Sequence, residues 1–478
     1  MKIRQINYIY PNGSNYIYES DLSYTTSNSE SYILFNSFNQ KWIRLDYIGK
    51  FICNQLNKYK SMRILKENTL SKFNISEDCF YEDIRGFIEY LIKNNFYTFK
   101  NKKNKKELKF NTKKNKDIQN YPLNTIYIRL TNRCNLNCSY CFNKTYRNNN
   151  SDNAISNKII IKRLKEFKYF GGHTVAFTGG EPTLYNEAKI IQLLEESENI
   201  GLKNVLLTNG TILGNLNLKK IISYIDTLQI SLDSMNNKTL EKLWGTSKYT
   251  YENILNTIKK IDFLIGKLNK SINIILTPIV TKININEVPI LIDDIKGIIK
   301  NANFNWYLNK YQKIGIDKID ELYSLDKSDY SIKMLKIFQK NNNVGRSVQK
   351  VYDIFKNITQ RKICKYPCKI TCFPSFFIIT NGDVFPCQAL EIENLNLGNI
   401  KNNSIHALLN KKKFQDLLQN LNINKIEDCK NCELRYLCSS LCPSKKYKKN
   451  KKYGPLPEEL NNCKNDLINL MWLETFKK

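Results

Sequence analysis

Apolar and polar positions in the first hundred residues form two strand-like runs followed by three helical patterns. The runs YILFN (32–36) and KWIRL (41–45), joined by a short polar segment, predict a β-hairpin. Asp46 follows as a suitable N-cap for a helix through YIGKFICNQLNK, and a second helix is predicted over SMRILKENTLSKF. The third helix, SEDCFYEDIRGFIEYLIKNN, has an apolar face made by Phe80, Ile84, Phe87, Ile88, Leu91 and Ile92. Residues 1–100 therefore predict a small winged-helix domain.

A polar segment over residues 101–120 follows this domain. Its stretch NKKNKKELKFNTKKNKD (101–117) has almost no apolar side chains and a dense positive charge. This composition is typical of a solvated linker.

Six further apolar runs alternate with helical patterns from residue 125 onward. The runs are TIYIRL (125–130), TVAF (174–177), NVLLT (204–208), TLQISL (227–232), NIILTP (273–278) and NFNWYL (303–308), with helices predicted over 155–169, 186–197 and 250–268. Such repetition predicts a parallel sheet with right-handed crossovers. The expected fold class is α/β, with six strand–helix units forming a partial TIM-like barrel over residues 121–320. An open doubly wound sheet is the alternative.

Composition limits the compartment and the partners. The chain has 478 residues, 42% of them hydrophobic, which is enough for two or three packed domains. Its start, MKIRQINYIY, lacks the apolar core of a signal peptide, and no run approaches the roughly 20 apolar residues of a spanning helix. We therefore expect a cytoplasmic protein without a membrane partner. The net charge of +30 comes mostly from Lys. Because no cluster of Arg and aromatic residues accompanies it, nucleic acid is not expected as a partner.

Fourteen cysteines point to metal ligands, because cytoplasmic thiols stay reduced. After about residue 360 the apolar periodicity ends, and metal clusters could supply the folding energy there. We therefore expect residues 321–478 to form bridging helices and a cysteine-rich iron–sulfur extension. Its nine cysteines are Cys364, Cys368, Cys372, Cys387, Cys429, Cys432, Cys438, Cys442 and Cys463. Cys53 and Cys79, in the N-terminal domain, are expected to be small buried hydrophobic residues.

Three cysteines in the spacing C-x3-C-x2-C follow the first strand of the predicted sheet: Cys134, Cys138 and Cys141. Active sites of such folds lie at the carboxyl ends of the strands. Three thiolates can hold three irons of a 4Fe–4S cube and leave the fourth iron open to a small molecule with amine and carboxylate groups. Zinc is the alternative, but it needs a fourth ligand such as His173. His173 and His406, the two histidines of the chain, are expected to serve structure.

With Tyr140 just before its last cysteine, the loop resembles the signature of radical S-adenosylmethionine (SAM) enzymes. In that family the open iron binds the methionine end of SAM, and electron transfer from the cluster cleaves the C5′–S bond of SAM to give a 5′-deoxyadenosyl radical that abstracts hydrogen. FTGGEP (177–182) resembles the family's GGEP motif, whose backbone and Glu181 contact the amino group of SAM. LLTNGT (206–211) and ISLDS (230–234) end the third and fourth strands. The cofactor-binding residues that the resemblance implies are Tyr140, Gly179, Gly180, Glu181 and Pro182, with Ser231 and Asp233 near the SAM ribose.

One segment departs from this family's pattern. Many relatives carry an Arg-Gly pair after the fourth strand, and that Arg helps to hold the carboxylate of SAM. Here the matching stretch reads EKLWGTSKYT, with Trp244 before Gly245. Lys242 or Lys248 could replace the arginine.

The C-terminal cysteines resemble the SPASM extension of radical SAM enzymes, which holds two auxiliary 4Fe–4S clusters. Cys372 and Cys387 enclose a predicted hairpin with an NGD turn, and C-x2-C-x5-C-x3-C and a last cysteine follow. The resemblance assigns to the first auxiliary cluster Cys372, Cys387, Cys442 and either Cys364 or, by nearness, Cys368. It assigns to the second Cys429, Cys432, Cys438 and Cys463. Zinc is again the alternative, although a zinc ribbon usually has a longer loop between its cysteine pairs.

The N-terminal stretch YILFNSFNQKWIRLDYIGKFICNQL resembles PqqD-like domains, which bind leader peptides of ribosomally made, modified peptides. Fusion of such a domain to a radical SAM–SPASM enzyme is typical of peptide maturases. The predicted function is therefore a thioether, or carbon–carbon, crosslink in a precursor peptide bound through its leader. The alternatives are an anaerobic sulfatase-type maturase that makes formylglycine and a winged-helix redox sensor. An electron donor such as flavodoxin or ferredoxin is expected as a partner, and no side chain stands out as a general base.

Overall fold

The computed structural model describes most of two regions and parts of the rest of the chain. The described residues are 10–11, 14–19, 32–37, 39, 41–73, 76–98, 123–141, 143, 154–311, 337, 344–345, 368, 375–435, 437, 444, 446–447, 451–454, 464–465, 467–468 and 471. The predicted linker (101–120) lies outside them, as does most of the segment expected to hold the bridging helices.

The N-terminal region combines short strands with three helices. Its elements are β1 (Tyr10–Pro11), β2 (Asn15–Glu19), β3 (Tyr32–Asn36), β4 (Lys41–Leu45), α1 (Tyr47–Tyr59), α2 (Met62–Phe73), α3 (Glu77–Lys93) and β5 (Tyr97–Thr98). Strand β3 is the centre of an antiparallel sheet in the order β2–β3–β4, and β1 pairs with β5. The predicted hairpin and the three helices are confirmed. Strand β2 had not been predicted from the sequence.

A separate apolar core holds this region together. Asp46 accepts a hydrogen bond from the Gly49 amide (2.7 Å) and so caps α1, as expected from its position. Of the predicted α3 face, Phe80, Ile84, Ile88 and Leu91 are buried and Phe87 and Ile92 are partly buried. Cys53 is fully buried in the same core, which confirms the expectation for that residue. The side chain of Cys79 lies outside the described residues.

The central region alternates strands and helices as predicted. Its elements are β6 (Thr125–Arg129), α4 (Asn157–Tyr169), β7 (Thr174–Thr178), α5 (Glu187–Asn199), β8 (Lys203–Thr208), α6 (Leu218–Tyr224), β9 (Thr227–Ile230), α7 (Asn237–Trp244), α8 (Tyr251–Leu268), β10 (Asn273–Leu276), β11 (Ile279–Val280), α9 (Val288–Lys296), β12 (Asn303–Tyr307), β13 (Asn309–Lys310) and β14 (Val344–Gly345). Six of these strands lie side by side in the order β6–β7–β8–β9–β10–β12, all parallel.

The C-terminal region adds its own strands to this sheet. Its elements are β15 (Ser375–Ile378), β16 (Asp383–Phe385), β17 (Gly398–Asn399), α10 (Ile405–Leu409) and α11 (Lys412–Asn420). Strand β15 pairs in parallel with β6, and β16 and β17 follow antiparallel. The predicted NGD hairpin is present, and Gly382 in its turn has φ +96°. The ten-stranded sheet starts at β14 and ends at β17 without closing.

The two faces of the central strands differ in polarity. One face carries apolar side chains that share a buried core with the helices, including Ile128, Phe177, Leu228 and Leu276. Because side chains alternate along a strand, the residues between them point to the other face. We call this face the inner wall; its half-buried polar residues are Tyr127, Thr178, Gln229, Ser231, Asn305 and Tyr307. A doubly wound sheet would carry apolar side chains on both faces, so the fold is a partial barrel.

None of the helices among the described residues is long and apolar enough to span a membrane.

Candidate functional site

The three-cysteine loop leaves the carboxyl end of β6, as predicted. The amide of Leu130 still pairs with the carbonyl of Thr178 (2.8 Å), and the loop starts beyond that bond. Cys138 is buried, whereas Cys134 and Cys141 are half-buried. The loop therefore places its thiols at the edge of the sheet where the following strands also end.

The GGEP segment packs directly on the backbone of the cysteine loop. The amide of Gly180 donates to the Thr131 carbonyl (2.7 Å), and the amide of Glu181 donates to the Arg133 carbonyl (2.8 Å). A Cβ atom on Gly180 would lie 2.3 Å from the Arg133 carbonyl oxygen, and one on Gly179 would lie 2.7 Å from the Thr131 carbonyl oxygen. Both glycines are thus needed because the GGEP backbone and the backbone of the cysteine loop lie in close contact.

Gly180→Ala is expected to destabilise the fold by about 1–3 kcal/mol, because the loop must move away from the new methyl group. It should also lower the iron bound per chain after reconstitution. Chemical denaturation and iron analysis measure the two effects. The control is Gly86→Ala in α3, where an added Cβ meets nothing within 4 Å. Equal stability and equal iron content in the two variants would contradict this role of Gly180.

Glu181 joins the ends of two strands instead of facing solvent. Its fully buried carboxylate accepts hydrogen bonds from the amide (3.0 Å) and hydroxyl (2.6 Å) of Thr183, from the hydroxyl of Thr208 (2.6 Å) and from the amide of Asn209 (2.7 Å). Burial raises the pKa of Glu181, and these hydrogen bonds oppose the rise. Pro182 is also buried and begins a short 3₁₀ helix, Pro182–Leu184. The contact of Glu181 with the SAM amine remains a prediction. Both oxygens of this carboxylate already accept hydrogen bonds within the chain.

Asp233 anchors the cysteine loop from the other side. Its carboxylate accepts hydrogen bonds from the hydroxyl of Tyr140, the indole of Trp244 (2.7 Å) and the amide of Ile279 (2.7 Å). Burial raises the pKa of Asp233, and it also raises the pKa of Tyr140. Asp233 and Tyr140 therefore meet each other, whereas their contacts with SAM remain predictions. Ser231 is half-buried, and its hydroxyl has no hydrogen-bond partner within the described part of the chain, so it can still bind a ligand.

The segment that departs from the family pattern contacts the cysteine loop. Two carbonyls at the end of α7 accept hydrogen bonds from the cysteine loop. The amide of Ser139 donates to Leu243 (3.0 Å), and the amide of Asn137 donates to Trp244 (2.8 Å). Gly245 ends the helix with φ +64°, and a Cβ there would lie 2.4 Å from the Asn137 carbonyl oxygen. The Trp-Gly pair is therefore a support for the loop. Lys242 and Lys248 are exposed, and their proposed role toward the SAM carboxylate stays a prediction.

A polar network lies beside Cys134 and was not predicted from the sequence. Its residues Asn209 and Thr211 belong to LLTNGT, which had been interpreted only as the end of a strand. The side-chain amide nitrogen of Asn209 lies 3.9 Å from the sulfur of Cys134 and 2.9 Å from Oδ1 of Asn135. Nδ2 of Asn135 in turn donates to the hydroxyl of Thr211 (2.8 Å). Two amides are thus fixed next to the first cysteine of the motif.

The chemistry of the loop fits an iron–sulfur cluster. Burial, followed by the charges of Asp233, Cys141 and Cys134, raises the pKa of Cys138, so a thiolate there needs a bound cation to be stable. Within the described residues, no three His, Cys, Asp or Glu side chains are gathered closely enough to hold one metal ion. The structure therefore shows the cysteines as neighbours on one loop and not as a closed ligand set.

Neither histidine supports the zinc alternative for this loop. His173 precedes β7, at the amino end of the sheet, whereas the cysteines lie at its carboxyl end. It is exposed and its ring hydrogen-bonds to Thr174 (3.0 Å). His406 stacks on Phe170, with ring centroids 5.2 Å apart.

A buried ion pair joins the cysteine loop to the C-terminal region. The guanidinium of Arg129, the last residue of β6, donates to both carboxylate oxygens of Glu391 (2.9 and 2.6 Å) and to Oδ1 of Asn143 (2.9 Å). It also lies 5.0 Å from the ring centroid of Phe377 in β15. Because Glu391 follows Cys387 by four residues, this pair connects the two cysteine-bearing parts of the chain.

The predicted auxiliary cysteines are described only in part. Cys387 follows β16, and Cys429 and Cys432 share one turn, in which the Cys432 amide donates to the Cys429 carbonyl (3.0 Å). Cys368 is half-buried. The remaining candidates lie outside the described residues and stay predictions; these are Cys364, Cys372, Cys438, Cys442 and Cys463.

The N-terminal region contacts the same cysteine-bearing turn. The hydroxyl of Tyr18, in β2, donates to Oε1 of Glu433 (2.8 Å), the residue after Cys432. Lys464 pairs with the same carboxylate (3.2 Å). Three distant segments of the chain thus meet at Glu433.

Comparison with known families identifies both regions. The model of the radical SAM superfamily matches residues 128–294, and that of SPASM, an iron–sulfur cluster-binding domain, matches residues 368–433. The chain carries a radical SAM domain and a SPASM domain. These domains imply SAM and 4Fe–4S clusters as cofactors, with the auxiliary clusters in the SPASM domain. The recognition of both domains from the cysteine spacings is thereby confirmed.

Individual relatives are distant from this radical SAM–SPASM protein. It is 26% identical to an uncharacterized protein of Archaeoglobus fulgidus over 337 residues, covering 68% of this chain and 75% of the relative. It is 24% identical to a cysteine-type anaerobic sulfatase-maturating enzyme of Clostridium perfringens over 339 residues, covering 67% and 89%. A structure of native anSMEcpe with bound AdoMet and a peptide matches 74% of this chain and 98% of its own length, with a TM-score of 0.56 and 19% identity. The last match confirms the partial-barrel fold.

Proposed function

We propose that this radical SAM–SPASM maturase oxidises a cysteine or serine side chain within a peptide segment to formylglycine. The similarity to a cysteine-type anaerobic sulfatase-maturating enzyme supports this activity over the thioether crosslink predicted first. A crosslink remains the second candidate, because residues 10–98 lie outside both family matches and a recognition domain suits a leader-bearing precursor.

The observation that carries the proposal is the shared sheet. Strand β6 leads into the cysteine loop. All four residues of β15 in the SPASM region, Ser375–Ile378, pair with residues Thr125–Ile128 of β6. The ion pair of Arg129 and Glu391 connects the same two regions. It is buried, since the side chain of Arg129 is 2% exposed and that of Glu391 is 7% exposed. The proposed oxidation uses a cluster in each of the two domains, and this junction holds the two domains in a fixed relation.

The cofactors and the chain have separate tasks in this proposal. When bound, SAM and its cluster would supply the radical that takes one hydrogen atom from Cβ of the substrate residue. An auxiliary cluster would accept the second electron as the thiol or hydroxyl proton leaves, and a thioaldehyde formed from cysteine would react with water to give the aldehyde and release sulfide. Cys134, Cys138 and Cys141 hold the first cluster. Asp233, through Tyr140, keeps the loop in place. Burial of Cys138 also shields its own thiol from water.

The inner wall suits a peptide substrate. Its polar groups are hydroxyls and amides, which match the donors and acceptors of a peptide backbone. The side-chain amide of Gln229 and the hydroxyl of Tyr127 have no hydrogen-bond partners among the described residues and are half-buried. They are therefore available to a substrate that enters the barrel.

The N-terminal domain is proposed to bind the peptide outside the barrel. Its sheet order leaves β2 and β4 as the outer strands of the described sheet, and an extended peptide can add to such an edge. Because Tyr18 in β2 already contacts Glu433, β4 is the edge that we propose for the peptide.

The test is anaerobic incubation of the reconstituted protein with SAM, a reductant and each of two synthetic peptides. One contains the cysteine segment of a sulfatase, and the other is a small cysteine-containing peptide encoded beside this protein's gene. We expect formation of an aldehyde, detected by mass spectrometry after capture with a hydrazide, together with loss of the thiol.

The other products decide between the candidates. Loss of two hydrogens with a thiol blocked to alkylation would establish the thioether crosslink, and loss of two hydrogens with a free thiol would indicate a carbon–carbon bond. Cleavage of SAM with both peptides unchanged would refute the proposed peptide substrates.

A further inference from the structure

Asn209 directs a hydrogen-bond donor at one of the three loop cysteines. It follows β8 directly, is 8% exposed, and its Nδ2 atom lies 3.9 Å from the sulfur of Cys134. This separation is within the range of a hydrogen bond to sulfur, which is longer than one to oxygen. No other part of the mechanism described above uses this side chain.

The orientation of the amide is set by its neighbours. Oδ1 of Asn209 accepts a hydrogen bond from the backbone amide of Thr211 (3.0 Å) and from its hydroxyl (2.6 Å). A backbone N–H can only donate, so the oxygen of the Asn209 side chain must lie on that side. Nδ2 is consequently the atom that faces Cys134.

The amide is also held in place by neighbours other than the cysteine. One N–H of Nδ2 is used by Oδ1 of Asn135 (2.9 Å), which leaves the second for sulfur. The backbone amide of Asn209 donates to the buried Glu181 carboxylate (2.7 Å), which fixes the strand end. These contacts fix the donor relative to the sulfur of Cys134.

A donor in this position changes the energetics of reduction. Reduction adds negative charge to a cluster and its sulfur ligands, and a hydrogen bond to a ligand sulfur stabilises that charge. Low polarity around a buried site strengthens the interaction. Removal of the donor should make the cluster harder to reduce.

We propose that Asn209 is a positioning residue that raises the reduction potential of the cluster held by Cys134, Cys138 and Cys141. The proposal rests on the radical SAM assignment and not on the identity of the peptide. It can therefore fail while the proposed function holds, and the reverse is also true.

Asn209→Leu tests the proposal, because it removes the donor and adds no charge. Redox titration followed by electron paramagnetic resonance measures the potential, and the SAM-site cluster is identified as the signal that changes when SAM is added. We expect a tenfold lower ratio of reduced to oxidised cluster at a fixed potential, a shift of about 59 mV for one electron. Asn209→Asp, which places an acceptor and a charge beside the sulfur, should shift the potential further in the same direction.

The matched control is Asn204→Leu. Asn204 lies in β8, about 16 Å from Asn209 toward the amino end of that strand. Its buried side-chain amide donates to the carbonyls of Leu194 and Tyr224 (both 2.7 Å). This variant should lose stability and leave the potential unchanged. An unchanged potential in Asn209→Leu with full iron content would overturn the proposal. Equal shifts in both leucine variants, or loss of the SAM-responsive cluster from both Asn209 variants, would also overturn it and assign a structural role.

Discussion

Joint replacement of Cys134, Cys138 and Cys141 with Ala is expected to abolish cleavage of SAM and to leave the iron bound by the SPASM cysteines. The three predicted ligands of the SAM-binding cluster lie within the radical SAM match, residues 128–294, whereas the SPASM match starts at residue 368. Production of 5′-deoxyadenosine measures the first effect, and iron per chain with absorbance spectroscopy measures the second. The loss should reach the detection limit, because the joint replacement removes all three thiols that are predicted to hold the SAM-binding cluster.

The control for this prediction is Cys53→Ala. Cys53 is buried in the N-terminal core, away from both cysteine-bearing regions, and its thiol is expected to hold no iron. That variant should cleave SAM at the normal rate after reconstitution. Production of 5′-deoxyadenosine by the triple variant would refute the assignment of the loop.

Arg129→Met is expected to destabilise the protein by about 3–5 kcal/mol, because it leaves the carboxylate of Glu391 buried without its charge partner. The same change removes the hydrogen bond to Asn143, close to the cysteine loop. Denaturant unfolding should therefore show a lower midpoint, and the iron content should fall in both domains.

The double variant Arg129→Met with Glu391→Leu separates charge from packing. Replacement of both members of a buried pair by apolar residues is often neutral, so this variant should recover most of the lost stability. The exposed pair of Arg63 and Glu67 provides the matched control, since an Arg63→Met change there should cost less than about 1 kcal/mol. A single variant as stable as the natural protein would contradict the role given to this pair.

The elements of the barrel could be predicted from the sequence because each depends on a local pattern. Apolar runs gave the strands, and the parallel arrangement followed from their alternation with helices. The motifs at strand ends, such as the three-cysteine loop and GGEP, were therefore placed at one edge. Their spacing also identified both domains.

Contacts between distant segments could not be predicted in this way. The bond between Arg129 and Glu391 joins residues 262 positions apart. The pairing of β15 with β6 brings Ser375 beside Thr125, and no local pattern encodes either contact. The sequence also gave no reason to link Tyr140, Asp233 and Trp244. Their meeting depends on the burial of a carboxylate that must find hydrogen-bond donors.

The hydrogen bond from Tyr18 to Glu433 has a practical consequence for binding studies. Glu433 adjoins Cys432, and its partner Lys464 adjoins Cys463. The N-terminal domain therefore contacts two segments whose conformation would depend on cluster assembly. Metal-depleted protein is then a poor reference for peptide affinity, because weak binding there could come from a displaced N-terminal domain and not from the β4 edge proposed for the peptide. Affinities should be compared at matched iron content. The Tyr18→Phe variant then measures the effect of losing the contact with Glu433 alone.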